Sequence, residues 1–195
     1  MTQTTFYPDA HPESSSVDGY MTNGTPGTWA SIRAGPATFV SDDRSYLEVI
    51  IRTSSTVTNE WIFCSRSILL FDTSSIQGQF IQAATLSVWA GSANNGLSAN
   101  PEIAVYASNP ASNIALVVAD YATIGTLLRS STIKHSSWVE SSWQTFTLNY
   151  DGLKLIARNP ITKLAVALVD DRANTPPTWQ LDKFNNFLLA SAEVV

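Results

Sequence analysis

Histidine is the side chain best suited to proton transfer near neutral pH, and this 195-residue chain has two, His11 and His135. Nucleophilic catalysis of the Ser/His/Asp type needs an imidazole held by a carboxylate and within reach of a nucleophile. Both histidines lie in Ser- and Pro-rich stretches, and no Gly-x-Ser-x-Gly elbow occurs, so a solvated or structural role is the expectation for each. Asp42-Asp43 and Asp170-Asp171 offer paired carboxylates. Adjacent residues on an extended strand point to opposite faces, whereas glycosidic cleavage needs two carboxyl groups converging from both sides of a bond. Carbonyls with one or two Asp suffice for a structural calcium ion, but no Asp-x-Asp-x-Asp spacing supports one. The single cysteine, Cys64, rules out an intrachain disulfide and reads as a small buried thiol. Walker, Rossmann and zinc motifs are missing as well. The expectation is therefore no catalytic residue, no metal ligand and no cofactor, with structural calcium as the one ion left open. Recognition or assembly remains as the work of the chain.

Charge narrows the partner. The formal net charge is −5, only 14% of residues are charged, and no Lys/Arg cluster concentrates the positive charge, which argues against nucleic acid. The first residues lack the basic start and apolar stretch of a secretion signal, and nowhere do about 18 uncharged apolar residues run together. A membrane is not expected as partner.

The aromatic side chains are the better candidates. Sugar rings stack their C–H faces on exposed Trp and Tyr, which supply large apolar area at small entropic cost. Alternation along Thr85 to Ala90 puts Leu86 and Val88 inward and Trp89 outward, and the same rule along Glu102 to Ser108 turns Ile103 and Val105 inward and Tyr106 outward. Trp89 and Tyr106 are thus expected on the non-core face of neighbouring strands, and Trp138, Trp143 and Trp179 near loops are the other glycan-binding candidates.

The elements that must position these rings are strands. Arg66 to Ile76 reads as a strand buried on both faces, followed by a turn around Gly78 and a second strand over Ile81 to Trp89, the two expected as an antiparallel pair. Tyr46 to Arg52 and Glu60 to Phe71 form a plausible hairpin, and Gln144 to Asn149, Leu164 to Val169 and Phe184 to Val195 complete the strands. Gly91 to Leu97 reads as a flexible loop, and residues 109–142 as a long connection with one helical turn over Leu116 to Tyr121. A short helix over about 151–158 starts from a cap at Asn149 or Asp151 and stops at Asn159-Pro160. Residues 1–45 are turn-rich and expected to lie over a face of the sandwich as short strands and loops. The fold class is all-β, a jelly-roll-like antiparallel β-sandwich with long loops and one short helix, in a single domain over 1–195.

The run Arg66-Ser67-Ile68-Leu69-Leu70-Phe71-Asp72-Thr73-Ser74-Ser75-Ile76 with Ile81 to Trp89 resembles the central strands of DNRLRE-type jelly-roll domains and their carbohydrate-binding-module relatives. It also resembles uncharacterised proteins of environmental tailed phages. Ser14 to Gly19, Trp29 to Gly35, Asp120-Tyr121, Trp143 to Asn149 and Asp151-Gly152-Leu153 extend the likeness. It implies a jelly-roll virion structural protein, a head decoration or a fibre or tail component at the virion surface. Such a protein works by assembly with other virion proteins or copies of itself and, where it adheres, with host polysaccharide. The alternative is an extracellular or cell-surface carbohydrate-binding module. Relatives of this kind end in an Asp-Pro-x-Leu-x-Val-x-Tyr strand that is missing here, so either an edge is left open to a neighbouring subunit or Phe184 to Val195 takes its place.

Overall fold

Strand β4, Trp61–Asp72, organises the molecule, and its composition explains why. From Cys64 to Leu70 every residue is buried, as expected of a strand covered on both faces. The structure, a computed structural model, describes residues 3–194. β4 pairs with β1 (Asp18–Asn23) along Cys64–Leu69, with β3 (Tyr46–Thr53) along Trp61–Ser65, and with β9 (Ile161–Leu168) along Ser67–Asp72. Because β1 overlaps both other ladders, β3 and β9 follow one another along the same edge of β4. Arg66 is the residue at the handover.

The remaining strands are β2 (Phe39–Ser41), β5 (Thr85–Asn95), β6 (Glu102–Ala107), β7 (Leu128–Lys134), β8 (Trp143–Thr147) and β10 (Phe184–Ala190). Eight strands run in the order β7-β6-β9-β4-β3-β10-β5-β8, all pairs antiparallel, with β1 attached at β4 and β2 at β1. Four ladders are nested in sequence: β3 with β10, β4 with β9, β5 with β8, β6 with β7. The two ends of the path meet where Ser130 bridges Leu148 and the Asn149 N–H donates to the Arg129 carbonyl at 2.9 Å. The result is a mostly-β, nearly closed, barrel-like sheet with few short helices.

The helices are set by local chemistry. In α2 (Tyr150–Arg158) the Asn149 side chain accepts the Gly152 N–H at 3.0 Å and Asp151 lies in the first turn, where the helix dipole favours an anion. In α1 (Trp29–Ala34) Thr28 plays the same capping part for Ser31. α3 (Val169–Ala173) follows β9 directly and ends on Asn174 in the left-handed conformation that Asn tolerates. Register places Tyr106, Ala165 and Ile68 in one row across β6, β9 and β4, and Val105, Val166 and Ser67 in the row beside it on the opposite face. All six are buried, because α1, α3 and the short turn Val118–Thr123 cover the outer face.

The expected elements over Glu60 to Phe71, 151–158, Leu164 to Val169 and the turn near Leu116 to Tyr121 are present. Others are corrected. β4 and β5 do not pair: β5 lies between β10 and β8, because the sheet is built from ladders distant in sequence. Gly91 to Asn95 is not a loop; it continues β5 against β10. The region before residue 45 has the short strands expected of it, β1 and β2, with the helix α1 between them as the unexpected element, and β1 is wholly buried. Of the two alternatives for the C-terminal segment the second holds over Phe184–Ala190, which forms β10 and is paired on both sides, by β3 and β5.

Candidate functional site

The outer face of β5 and β8 carries the most distinctive exposed surface. Along β5 Leu86, Val88 and Ala90 are buried while Thr85, Ser87 and Trp89 are exposed, and along β8 Gln144 and Phe146 are buried while Trp143, Thr145 and Thr147 are exposed. Register sets the outward residues opposite one another as Trp89–Trp143, Ser87–Thr145 and Thr85–Thr147. The indoles meet edge to face at 5.6 Å between centroids and 81° between planes, a favourable arrangement for two ring quadrupoles. They nevertheless stay 41% and 55% exposed. Beside them the Ser87 and Thr145 hydroxyls hydrogen-bond at 3.0 Å. Rungs two residues apart span about 13 Å from Trp89 to Thr85. The strip is uncharged, apolar at one end and hydroxyl-bearing at the other.

Of the other aromatic candidates, Tyr106 does point away from Ile103 and Val105, but that face is covered and its exposure is 1%. Burial accordingly raises its phenol above the usual value. It cannot share a platform with Trp89, because β6 pairs with β7 and β9 and never with β5. Trp138 is half-buried, donates its indole N–H to the Gly91 carbonyl at 2.9 Å and packs edge-on against Phe187 at 5.0 Å. Trp179, also half-buried, donates to the Glu60 carbonyl at 3.0 Å. Both rings brace loops against the sheet. Of the five candidates, only Trp89 and Trp143 are brought together on an exposed face. The hydroxyl residues Thr85, Ser87, Thr145 and Thr147 complete the strip, and their signal was the outward half of two alternating segments whose pairing, across 58 residues, the sequence does not declare.

Most of the titratable residues singled out in the sequence have structural partners. His11 Nδ1 lies 3.0 Å from Glu13, and His135 sits edge-on to Phe187. Asp42 accepts the Leu116 N–H and Asp43 the Ser41 hydroxyl. Asp170 and Asp171 stand on α3, not on a strand, and Asp171 is buried. Its carboxylate grips Arg66 through two bonds of 2.7 and 2.8 Å and receives Arg33 Nε at 3.1 Å, while Arg172 Nη1 lies 3.8 Å away. Arg66 spends its other donors on the Tyr121 and Arg33 carbonyls, and its guanidinium stacks 3.8 Å from the Tyr121 ring. Burial disfavours the Arg66 charge, yet Asp171 outweighs it and the pKa lies above the ordinary value. Arg172 is displaced downward, first by burial and then by Arg66. Cys64 lies beside this cluster, fully buried, and burial pushes its thiol up to about 12. Among the described residues no three His, Cys, Asp or Glu side chains are arranged to hold a metal ion, and no helix is long and apolar enough to cross a membrane.

Comparison with protein families, with curated protein sequences and with solved structures finds no match.

Proposed function

We propose that this protein is a non-enzymatic recognition protein that binds a neutral polysaccharide across the β5–β8 strip. The observation that carries the reading is the Trp89–Trp143 pair, two indoles held on a rigid sheet and left open to solvent beside a ladder of hydroxyl groups. Stacking on the indoles supplies affinity and the hydroxyls orient sugar hydroxyls, with little loss of rotamer freedom because the platform is already fixed. The resemblance to tailed-phage proteins supports a place at the virion surface, where the strip would engage host polysaccharide. The nested ladders support reading the eight-strand path as a jelly roll, which is one long hairpin of four strand pairs rolled into two layers.

Assembly with copies of itself as a virion structural protein is the second reading. It is favoured by a groove of about 250 Å³ in which Phe80, Ile81, Tyr150 and Leu153 are rimmed by Gln79, Gln82 and Lys154, with Phe80 91% and Tyr150 73% exposed. Exposed apolar groups of this kind are what a self-associating surface buries. A panel of neutral and acidic polysaccharides in affinity electrophoresis, run beside light scattering, tests both. Binding of a neutral glycan that weakens about tenfold in Trp89→Ala and in Trp143→Ala, roughly the loss of one stacking contact, is the expected result. Binding of no polysaccharide, or affinity unchanged in both variants, would remove the glycan reading; a monomer at every concentration would remove the second.

A further inference from the structure

The segment before β1 is bound to the other end of the chain through an unusual set of carboxylates. Asp9 fixes the start of the segment by accepting the N–H groups of Ser14, Ser15 and Ser16 and two of their hydroxyls on one oxygen. Burial acts the other way, but these donors hold its carboxyl down at about 2. Past that turn three acids gather. Asp18, the first residue of β1 and 1% exposed, accepts the Ala192 N–H at 3.1 Å on Oδ2. Glu193 accepts the His11 N–H at 3.1 Å on Oε1, and Glu13, whose side chain is 3% exposed, takes His11 Nδ1 at 3.0 Å on Oε2. In each acid the second oxygen, Asp18 Oδ1, Glu193 Oε2 and Glu13 Oε1, is buried and without a partner among the described residues, and so is the hydroxyl of Ser16.

Buried acceptors with no donor are costly, and a buried carboxylate facing two others costs more. Asp18 faces Glu193 from the C-terminal segment and Glu13 from the N-terminal one; across the ladder β4 presents Leu69. Among the described residues the one basic side chain within ion-pair distance of any of the three acids is the His11 imidazole, and it is engaged by Glu13. The least costly way to satisfy the cluster is a proton on the orphan oxygen of its most buried member, which turns an acceptor into a donor.

We propose that Asp18 is the proton-binding latch of a pH-sensitive clasp that docks residues 9–17 against residues 191–193. Burial first, then Glu193, raises its carboxyl from the usual 3.8 to about 7, while the Ala192 N–H opposes. Undocking hydrates Asp18 and returns it to its ordinary range. The docked state therefore holds a proton that the undocked state releases, so docking is strongest below about pH 4, weakens as pH rises toward 7, and levels off above. Within that window the opening equilibrium grows by a factor that approaches about tenfold per pH unit.

Hydrogen exchange of the 9–17 backbone, corrected for intrinsic rates and measured from pH 4.5 to 8.5 in a chelator, reads that equilibrium directly. The parent protein is expected to lose protection steeply to about pH 7 and then level off. Asp18→Asn keeps a neutral donor in place and is expected to give a flat profile. Glu193→Gln, which removes the acid nearest in effect while leaving Asp18 intact, is expected to move the plateau to lower pH; it carries the test if Asp18→Asn does not fold. A slope unchanged in the variants overturns the proposal by placing the proton elsewhere. Protection at pH 8 restored by calcium alone, through Asp18, also overturns it, because the cluster would then take a metal ion in place of a proton.

Discussion

Replacing Asp171 by alanine is the sharpest probe of how this sheet is held. Asp171 is 1% exposed and compensates three guanidinium groups at once: Arg66 through two bonds, Arg33 through one, and Arg172 at 3.8 Å. After the substitution Arg66 keeps two backbone carbonyls and the Tyr121 ring, but no anion. Breaking one partner of a buried pair costs about 3–5 kcal/mol, because the survivor is left uncompensated in a poor dielectric. For a chain of this size that corresponds to roughly 6–20 °C in Tm, a large part of the 5–15 kcal/mol that a domain typically has. Asp170→Ala is the matched control. Asp170 is one residue away, its carboxyl is raised by burial and by Glu102, and no side-chain hydrogen bond to it is present among the described residues, so its loss should cost no more than about 1 kcal/mol. Urea titrations at pH 7 with a common slope give both differences. If Asp171→Ala unfolded within about 1 kcal/mol of the parent, the cluster would not be holding α1, α3 and β4 together.

Two further expectations follow from burial and close approach. The Cys64 thiol, raised to about 12 and fully enclosed, should fail to react with a disulfide reagent in the native protein at pH 8 and react stoichiometrically in denaturant; native labelling at the rate of a free thiol would contradict its placement. Gly152→Ala should destabilise the protein by roughly 1–3 kcal/mol, since a Cβ there meets the Arg129 carbonyl at the seam between β7 and β8; an unchanged midpoint in thermal melts would show that the seam yields freely.

Alternation and burial were legible in the sequence wherever a segment reports on itself. The outward turn of Trp89, the two-sided burial around Ile68 and the Asn149 cap of α2 each follow from side-chain order along a few residues. What could not be read was pairing between distant segments. Tyr106 turns the way alternation dictates, and only the arrival of α3 and the turn at Val118–Thr123 over that face makes it a core residue. Trp143 looks like any loop-edge tryptophan until β8 is laid against β5. An extended backbone would turn the Asp170 and Asp171 carboxyls apart, yet the pair lies on a short helix, and Asp171 is the anion at the centre of a buried cluster. No periodicity in sequence connects it with Arg66, 105 residues away.

The position of β10 between β3 and β5 has a bearing on how the chain reaches this state. Until Phe184–Ala190 docks, two inner strands present bare backbone donors and acceptors, and the wall has a missing stave. Ladder β3–β10 joins residues more than 130 apart in sequence, a long loop to close before any hydrogen bond repays it. Refolding should accordingly be slow, and crowded refolding mixtures should aggregate through those two raw edges before the final strand arrives to seal them.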